Sequence, residues 1–243
     1  MLDIHTHILP AMDDGARDSA QALSMLEQLA EQGMTSVALT PHFYTQEESA
    51  AQFLERRRRS VAMLRPLLHA GCPEVLLGAE VYLTRYLLAN EELSDLCIGH
   101  SCYMLVELPM RDSLSNEMLE LLKVLIYERE IIPVLAHVER YRDFLSRTDI
   151  VGFLTAAGCQ FQSDADALLG LLGGRTIHMM QTHGVYYLGS DCHGTDRPPR
   201  MGEAMAALLH KSPQLHEKIQ RHAQRMLTAA GEGQMRETCA SQP

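Results

Sequence analysis

Short apolar runs alternate with longer amphipathic stretches along most of the chain. The runs have the length of buried strands and are bounded by glycine, proline and polar residues. They predict seven strands, near residues 1–7, 35–40, 75–79, 102–106, 131–136, 159–162 and 185–189. Strands that alternate with helices form parallel β-α units. Seven such units without a long linker favour a closed or nearly closed α/β barrel.

The stretches between the runs have apolar residues at helical spacing. Asp18 or Ser19 is expected to cap the first helix, and Gly33 to end it. Further helices are predicted near residues 47–70, 115–130, 148–157, 175–183 and 201–230, the last divided at Ser212-Pro213. We expect a single domain over residues 1–230 and a disordered tail over residues 231–243. No Gly-x-Gly-x-x-Gly follows the first strand, which argues against dinucleotide binding.

The balance of charge limits the partners of the chain. It has 21 basic and 31 acidic residues and a net charge of −10, which argues against nucleic acid and anionic membranes as partners. No apolar run approaches the roughly 18 residues of a membrane span, and the first residues do not resemble a signal peptide. The six cysteines are scattered without a Cys-x-x-Cys pair, which favours reduced thiols and a cytoplasmic protein.

Two histidines, His5 and His7, stand two residues apart at the end of the first predicted strand. In an extended segment, residues i and i+2 point to the same side. The two imidazoles can therefore meet at one point, which suits a divalent metal ion. The pair alone is a weak signal, and the rest of the chain strengthens it.

Other potential ligands follow the ends of the later strands, all but the sixth. In β/α barrels the carboxyl ends of the strands share one face, where the chemistry takes place. Together with an acid in the first loop, the candidates are His5, His7, Asp14, His42, Glu80, Glu107, His137, Asp191 and His193. Five imidazoles and four carboxylates are too many for one ion and suggest two or three. Nitrogen and oxygen ligands without thiolates suit manganese, iron, zinc, cobalt or magnesium.

The charge of such a centre indicates its substrate. Three divalent ions outweigh four carboxylates by two positive charges, which favours a dianion such as a phosphate monoester. Clustered metal ions also supply hydroxide at neutral pH. A cysteine mechanism is disfavoured, because no cysteine is followed by five residues and an arginine. Cys192 lies between two candidate ligands and is expected to point away from them into the packing.

Several of these motifs together resemble the PHP (polymerase and histidinol phosphatase) superfamily. The closer likeness is to its bacterial capsule-associated tyrosine phosphatases, the CpsB/YwqE type, and it covers the chain to about residue 210. The motifs are His5-Thr6-His7, Asp13-Asp14-Gly15, Pro41-His42, Gly78-Ala79-Glu80, Val106-Glu107, Ala136-His137-Val138-Glu139-Arg140-Tyr141 and Ser190-Asp191-Cys192-His193.

The resemblance implies a distorted (β/α)7 TIM-like barrel of the PHP type with a three-metal centre, in which manganese is favoured. By position, the first ion would be held by His5, His7, Glu80 and Asp191. The second would be held by Glu80, Glu107 and His137, with Glu80 as the bridge. The third would be held by Asp14, His42 and His193. Arg140 would be the catalytic arginine that binds phosphate.

The resemblance implies a metal-dependent protein-tyrosine phosphatase. Its partner would be a phosphotyrosine-bearing protein, an autophosphorylating tyrosine kinase of capsule or exopolysaccharide biosynthesis. Two alternatives stay open at this point. One is a small-molecule phosphatase of the histidinol-phosphatase type, which would use the same ligands. The other is a non-catalytic regulatory module that binds metal.

Overall fold

A computed structural model describes residues 1–90, 93–109, 114–141 and 147–240, the last nine of these by backbone alone. The strands are β1 Leu2–Asp3, β2 Ser36–Leu39, β3 His42–Phe43, β4 Glu74–Leu77, β5 Glu80–Tyr82, β6 Tyr103–Glu107, β7 Ile132–Leu135, β8 Gln160–Asp164 and β9 Tyr187–Gly189. The helices are α1 Ser19–Glu31, α2 Ala50–Leu64, α3 Asn116–Tyr127, α4 Thr148–Ala157, α5 Gly173–His183, α6 Met201–Lys211 and α7 Pro213–Ala240.

All paired strands are parallel, and they form a curled sheet in a mixed α/β fold. The order is β1-β2-β4 in one part and β3-β5-β6-β7-β8-β9 in the other. Each of the predicted strand regions 35–40 and 75–79 is followed by a second short strand. β3 begins directly after Pro41, which has no N–H to donate to a neighbouring strand, and β5 begins after Gly78 and Ala79. β2 pairs with β1 and β4, whereas β3 pairs with β5 and sets His42 opposite Glu80.

The first and last strand regions lie side by side. The Ile4 N–H donates to the carbonyl of Leu188 (3.3 Å), and the Asp191 N–H donates to the carbonyl of His5 (2.9 Å). A further link joins residues far apart in the chain: the Ser190 N–H donates to Asp3 Oδ1 at 3.0 Å, across 187 residues. The first and the last strand regions therefore contribute to the same part of the sheet.

The inner face of the sheet is filled by α7 near the amino ends of the strands. Ile4, Leu105 and Val134 are buried there in one cluster with Ala223 and Met226 of α7. Burial of such side chains stabilises the fold by about 1.5–3 kcal/mol each. This apolar cluster holds α7 against the sheet.

Helix boundaries follow local signals in the sequence. Asp18 caps α1 by accepting from the backbone of Gln21, as predicted. α2 is shorter than the predicted helix over residues 47–70. It begins with a capping box formed by Ser49 and Gln52 and gives way to a 3₁₀ turn that contains Pro66.

The carboxyl-terminal region contains the two predicted helices, with α6 and α7 separated at Ser212. α7 continues to Ala240, whereas a disordered tail was expected from residue 231. Residues 241–243 lie outside the described residues, so the division into one domain and a tail stays a prediction. In the described parts of the chain, no helix is both long and apolar enough to cross a membrane.

Candidate metal centre

Four of the predicted ligands converge at the carboxyl edge of the sheet, where all four are buried. The Nε2 atoms of His5 and His7 are 3.1 Å apart. Glu80 Oε2 lies 3.2 and 3.3 Å from these two nitrogens, and Asp191 Oδ1 lies 3.4 and 3.2 Å from them. A tetrahedral ion with bonds of about 2.0–2.1 Å has ligand atoms roughly 3.3–3.4 Å apart. The spacing of these atoms thus suits a single divalent ion.

Glu80 reaches a second group of ligands with its other oxygen. Its Oε1 lies 3.1 Å from His137 Nε2, and His137 Nε2 lies 3.8 Å from Glu107 Oε1. His42 Nδ1 is 2.8 Å from Glu80 Oε2. The two oxygens of one carboxylate therefore face different sets of nitrogens, as a bridging ligand would.

Asp14, His42 and His193 form a third group on the more open side. His193 Nε2 lies 3.3 Å from Asp14 Oδ1, and His42 Nε2 lies 3.7 Å from the same oxygen. Together with His7, these residues offer four ligand atoms that lie within 4.8 Å of one another. The Asp14 side chain is 74% exposed, so this group lies where a substrate can approach.

Two of the predicted ligands have strained backbone. His137 has φ of 35° and Asp191 has φ of 49°, and non-glycine residues rarely adopt this left-handed region. Such strain costs of the order of 1–3 kcal/mol and is common at functional sites. At His137 this left-handed conformation turns the chain at the end of β7, directly before the 3₁₀ turn Val138–Arg140.

The electrostatics of the cluster favour a bound cation. Burial alone would lower the pKa of His5, but Glu80 and Asp191 outweigh it and raise that pKa to about 9. Burial alone would raise the pKa of Glu80, but His5 and His137 hold it well below its usual range. Among the described side chains, Glu80 Oε2 is a buried oxygen that accepts no hydrogen bond of good geometry, although three imidazole nitrogens lie within 3.3 Å of it. A divalent ion would satisfy this oxygen, so the residues present fit a metal site.

Asp13 belongs to the site although sequence reasoning did not select it as a site residue. Its Oδ2 lies 2.7 Å from His7 Nδ1 and accepts the His42 N–H at 3.0 Å. Burial opposes ionisation, yet the contact with His7 lowers the pKa of Asp13 to about 2. A carboxylate on Nδ1 fixes the imidazole with its Nε2 turned toward the cluster.

We expect Asp13→Asn to lower the metal affinity of the protein about 10–100-fold while the fold remains intact. Asparagine keeps the shape of the side chain but removes the charge that holds His7 in place. Metal affinity can be measured by competition with a chromogenic chelator. Asp18→Asn, which exchanges one good helix cap for another, is the matched control. Equal metal affinity in both variants would contradict a role for Asp13.

Asp164 is a second residue that the sequence analysis missed. β8 continues two residues beyond the predicted end of that strand, so Asp164 is buried at the edge of the cluster. It groups with His5 and Asp191 as a potential ligand. Gln162 Nε2 donates to Asp164 Oδ1 at 3.1 Å, while Gln162 Oε1 accepts the His137 N–H at 2.7 Å. The sixth strand therefore does contribute to the site.

Arg140 and Arg197 bring positive charge to the same edge. Arg140 donates to Asp191 Oδ2 at 2.7 Å and also to Asp164. Arg197 donates to Asp191 Oδ2 as well. About a third of each arginine side chain is exposed. The predicted phosphate-binding residue Arg140 thus lies beside the cluster, accompanied by a second guanidinium.

Cys192 points away from the cluster, as expected from strand alternation. It is completely buried, and burial raises the pKa of its thiol to about 12. A thiol must be a thiolate to act as a nucleophile. Cys192 is therefore a packing residue.

Comparison with known proteins identifies relatives over most of the chain. YwqE of Bacillus subtilis (strain 168), named a tyrosine-protein phosphatase, is 29% identical over 208 residues, which cover 79% of this chain and 77% of the relative. CpsB of Streptococcus pneumoniae, also named a tyrosine-protein phosphatase, is 28% identical over 228 residues, covering 87% and 90%.

The fold has a counterpart among solved structures. It comes from the crystal structures of YwqE from Bacillus subtilis and CpsB from Streptococcus pneumoniae, described as metal-dependent tyrosine phosphatases. The TM-score is 0.77 at 24% identity, over 94% of this chain and 95% of the other. The family model for capsular polysaccharide synthesis proteins, CpsB/CapC, matches residues 1–228. With a match over nearly its whole length, the chain belongs to the CpsB/CapC family.

Proposed function

We propose that this protein is a metal-dependent phosphatase that removes phosphate from tyrosine residues of another protein. The observation that carries the proposal is the convergence of His5, His7, Glu80 and Asp191 at spacings suited to one divalent ion. The relatives YwqE and CpsB are named tyrosine-protein phosphatases, which supports the same activity here. We further assign the curled sheet to a (β/α)7 barrel of the PHP type.

The proposed centre holds three ions, with manganese as the favoured metal. His5, His7, Glu80 and Asp191 would hold the first. The other two are proposed for the sets Glu80, Glu107 and His137, and Asp14, His42 and His193. Bound divalent ions would supply a hydroxide nucleophile at neutral pH and neutralise charge on the phosphoryl oxygens. Asp164 lies within reach of His5 and Asp191 and is available as an additional oxygen ligand.

Two arginines of the chain would position the phosphate group and neutralise part of its negative charge. Arg140 and Arg197 both pair with Asp191, so their positive charge would lie beside a phosphoryl group bound at the proposed metal ions. Guanidinium groups suit phosphate because their donors match two oxygens at once. A tyrosyl leaving group has a pKa near 10, so its departure requires only modest assistance.

We propose that the substrate is a phosphotyrosine-bearing kinase of capsule or exopolysaccharide biosynthesis. Membership of a capsular polysaccharide synthesis family supports this assignment. A cytoplasmic location is consistent with the cysteines, because the five described ones are free thiols and free thiols are typical of reducing compartments.

The proposal is tested by metal removal and by thiol alkylation on the same preparation. We expect a chelator to abolish hydrolysis of a phosphotyrosyl peptide, and added manganese to restore it. Alkylation with iodoacetamide should leave activity in place, because Cys192 is buried and carries its proton. Activity that survives chelation but not alkylation would disprove the mechanism.

A substrate panel distinguishes this function from its alternatives. With the same metal, the phosphotyrosyl peptide should be hydrolysed with a higher kcat/KM than histidinol phosphate. The reverse preference would indicate a small-molecule phosphatase. A metal-loaded protein that hydrolyses neither compound, nor a simple aryl phosphate, would be a regulatory module.

A further inference from the structure

Two tyrosines lie beside the cluster of proposed metal ligands: Tyr44 directly follows β3, which carries His42, and Tyr82 ends β5, which begins with Glu80. β3 and β5 pair with His42 opposite Glu80 and Phe43 opposite Val81. Side chains two residues apart on a strand share a face. Tyr44 and Tyr82 are therefore the next pair on the face of the cluster.

The contacts agree with this register. The ring centroids of Tyr44 and Tyr82 are 5.5 Å apart, with 55° between the ring planes. The Tyr44 ring also lies 5.3 Å from the ring of His42. Just beyond the two strands, the hydroxyls of Thr45 and Thr84 are 2.7 Å apart and join the two segments. The tyrosines thus form a connected aromatic wall, a name used below for Tyr44 and Tyr82 together.

The aromatic wall is not part of the buried core. Both tyrosines are only partly buried, whereas the neighbouring Phe43 and Val81 are completely enclosed. Tyr82 is also paired in register with Glu107 at the end of β6. Part of each tyrosine is thereby left accessible beside the proposed ligands, on the side from which a substrate would enter.

The chemistry of the substrate explains why an aromatic wall would be useful there. In the proposed reaction the phosphate lies at the cluster of proposed metal ligands, and an aryl ring is joined to it through a single ester oxygen. The ring must then occupy the first layer outside the cluster, which is the layer of Tyr44 and Tyr82. Aromatic pairs in offset or edge-to-face arrangement attract one another beyond simple burial.

We propose that Tyr44 and Tyr82 hold the aromatic ring of the substrate and make the site selective for aryl over alkyl phosphate esters. This inference rests on the proposed phosphatase function and specifies how that site would recognise tyrosine. The aromatic wall would contact the aryl leaving group and so determine substrate specificity. The proposed metal ligands and the two arginines would bind the metal ions and the phosphate.

The experiment compares phenylphosphonate with methylphosphonate, two phosphate mimics that are not hydrolysed. Calorimetry on the manganese-loaded protein gives a dissociation constant for each. We expect wild-type protein to prefer phenylphosphonate. Tyr44→Ala and Tyr82→Ala should each reduce this preference about threefold to tenfold while affinity for methylphosphonate stays constant. Tyr44→Phe and Tyr82→Phe should retain it, because the ring remains.

Tyr127→Ala is the matched control, since this exposed tyrosine ends α3 before β7 begins, at the opposite edge of the sheet. Equal losses for both phosphonates would mean that the wall only supports His42 and would overturn the inference. A wild-type protein without preference for the aryl compound would also overturn it, while phosphatase activity could still stand. Failure of wild-type protein to bind either phosphonate or to hydrolyse any aryl phosphate would overturn both proposals.

Discussion

Glu80→Gln is expected to remove most of the bound metal and to lower kcat for aryl phosphate at least about a hundredfold. Glu80 is 1% exposed, and its two oxygens lie within 3.3 Å of nitrogen atoms from His5, His7, His42 and His137. Glutamine preserves the shape of this side chain but takes away its charge and one of its two acceptor oxygens. The metal content of purified protein, by elemental analysis, and kcat should therefore fall together.

The control for Glu80→Gln is the same substitution at Glu217. This side chain is 70% exposed on α7, where it pairs with Arg221. Exposed ion pairs contribute roughly 0–1 kcal/mol, so Glu217→Gln should match wild type in metal content and rate. Circular dichroism of both variants separates loss of metal from loss of fold. A folded Glu80→Gln protein with full metal content and full activity would refute the bridging role.

The second large effect is expected from Gly189→Ala, which should destabilise the protein by about 1–3 kcal/mol and displace His5. A Cβ atom at position 189 would stand 2.3 Å from the Cβ of His5 and 3.0 Å from Gln162 Nε2. The Cα of His5 would also lie within 3.2 Å, and the Cα and Cβ of His5 move only with the backbone, so the strain must separate β9 from the first strand region. Thermal unfolding and metal affinity should both decline.

Gly152→Ala is the matched control for this prediction. Gly152 lies within α4 with no heavy atom within 4 Å of an added Cβ. Alanine is favoured over glycine inside a helix by about 0.5–1 kcal/mol, so this variant should unfold at a slightly higher temperature and bind metal normally. An unchanged melting temperature and metal affinity in Gly189→Ala would contradict this prediction, because it would show that β9 and the first strand region can move apart without loss of stability.

The positions of the candidate ligands could be predicted because strand ends are visible in the sequence. A run such as residues 131–136, followed at once by His137, combines apolar character with an abrupt polar residue. In the structure the nine candidate ligands lie at one edge of the sheet. Their assignment to individual ions stays a proposal, since Glu80 lies close to several histidines at once.

Asp164 shows where such reasoning fails. The predicted strand ends at Gln162, but β8 continues through Ser163 to Asp164. Gln162 and Asp164 are polar because they face the cluster, where Gln162 accepts the His137 N–H and Asp164 pairs with Arg140. A strand that enters a functional site loses the apolar signature by which strands are recognised.

Asp13 and Asp14 pose a different difficulty. They are adjacent acids in one loop, and the sequence contains no rule that tells a ligand from its supporting residue. Only three-dimensional geometry separates them: Asp13 is held against His7, whereas Asp14 is exposed and faces His193. The division of two predicted strand regions at Pro41 and Gly78 likewise depends on which neighbour each half meets.

The pairing of the first strand region with the last has a consequence for how the protein matures on the ribosome. His5 and His7 emerge early in synthesis, but Asp191 and His193 emerge only when most of the polypeptide has been made. The nascent chain therefore cannot assemble its first ion site until late, after the intervening units have been translated. Binding of the first metal ion would then be a late step of folding, and fragments that stop before residue 191 should lack a complete first ion site.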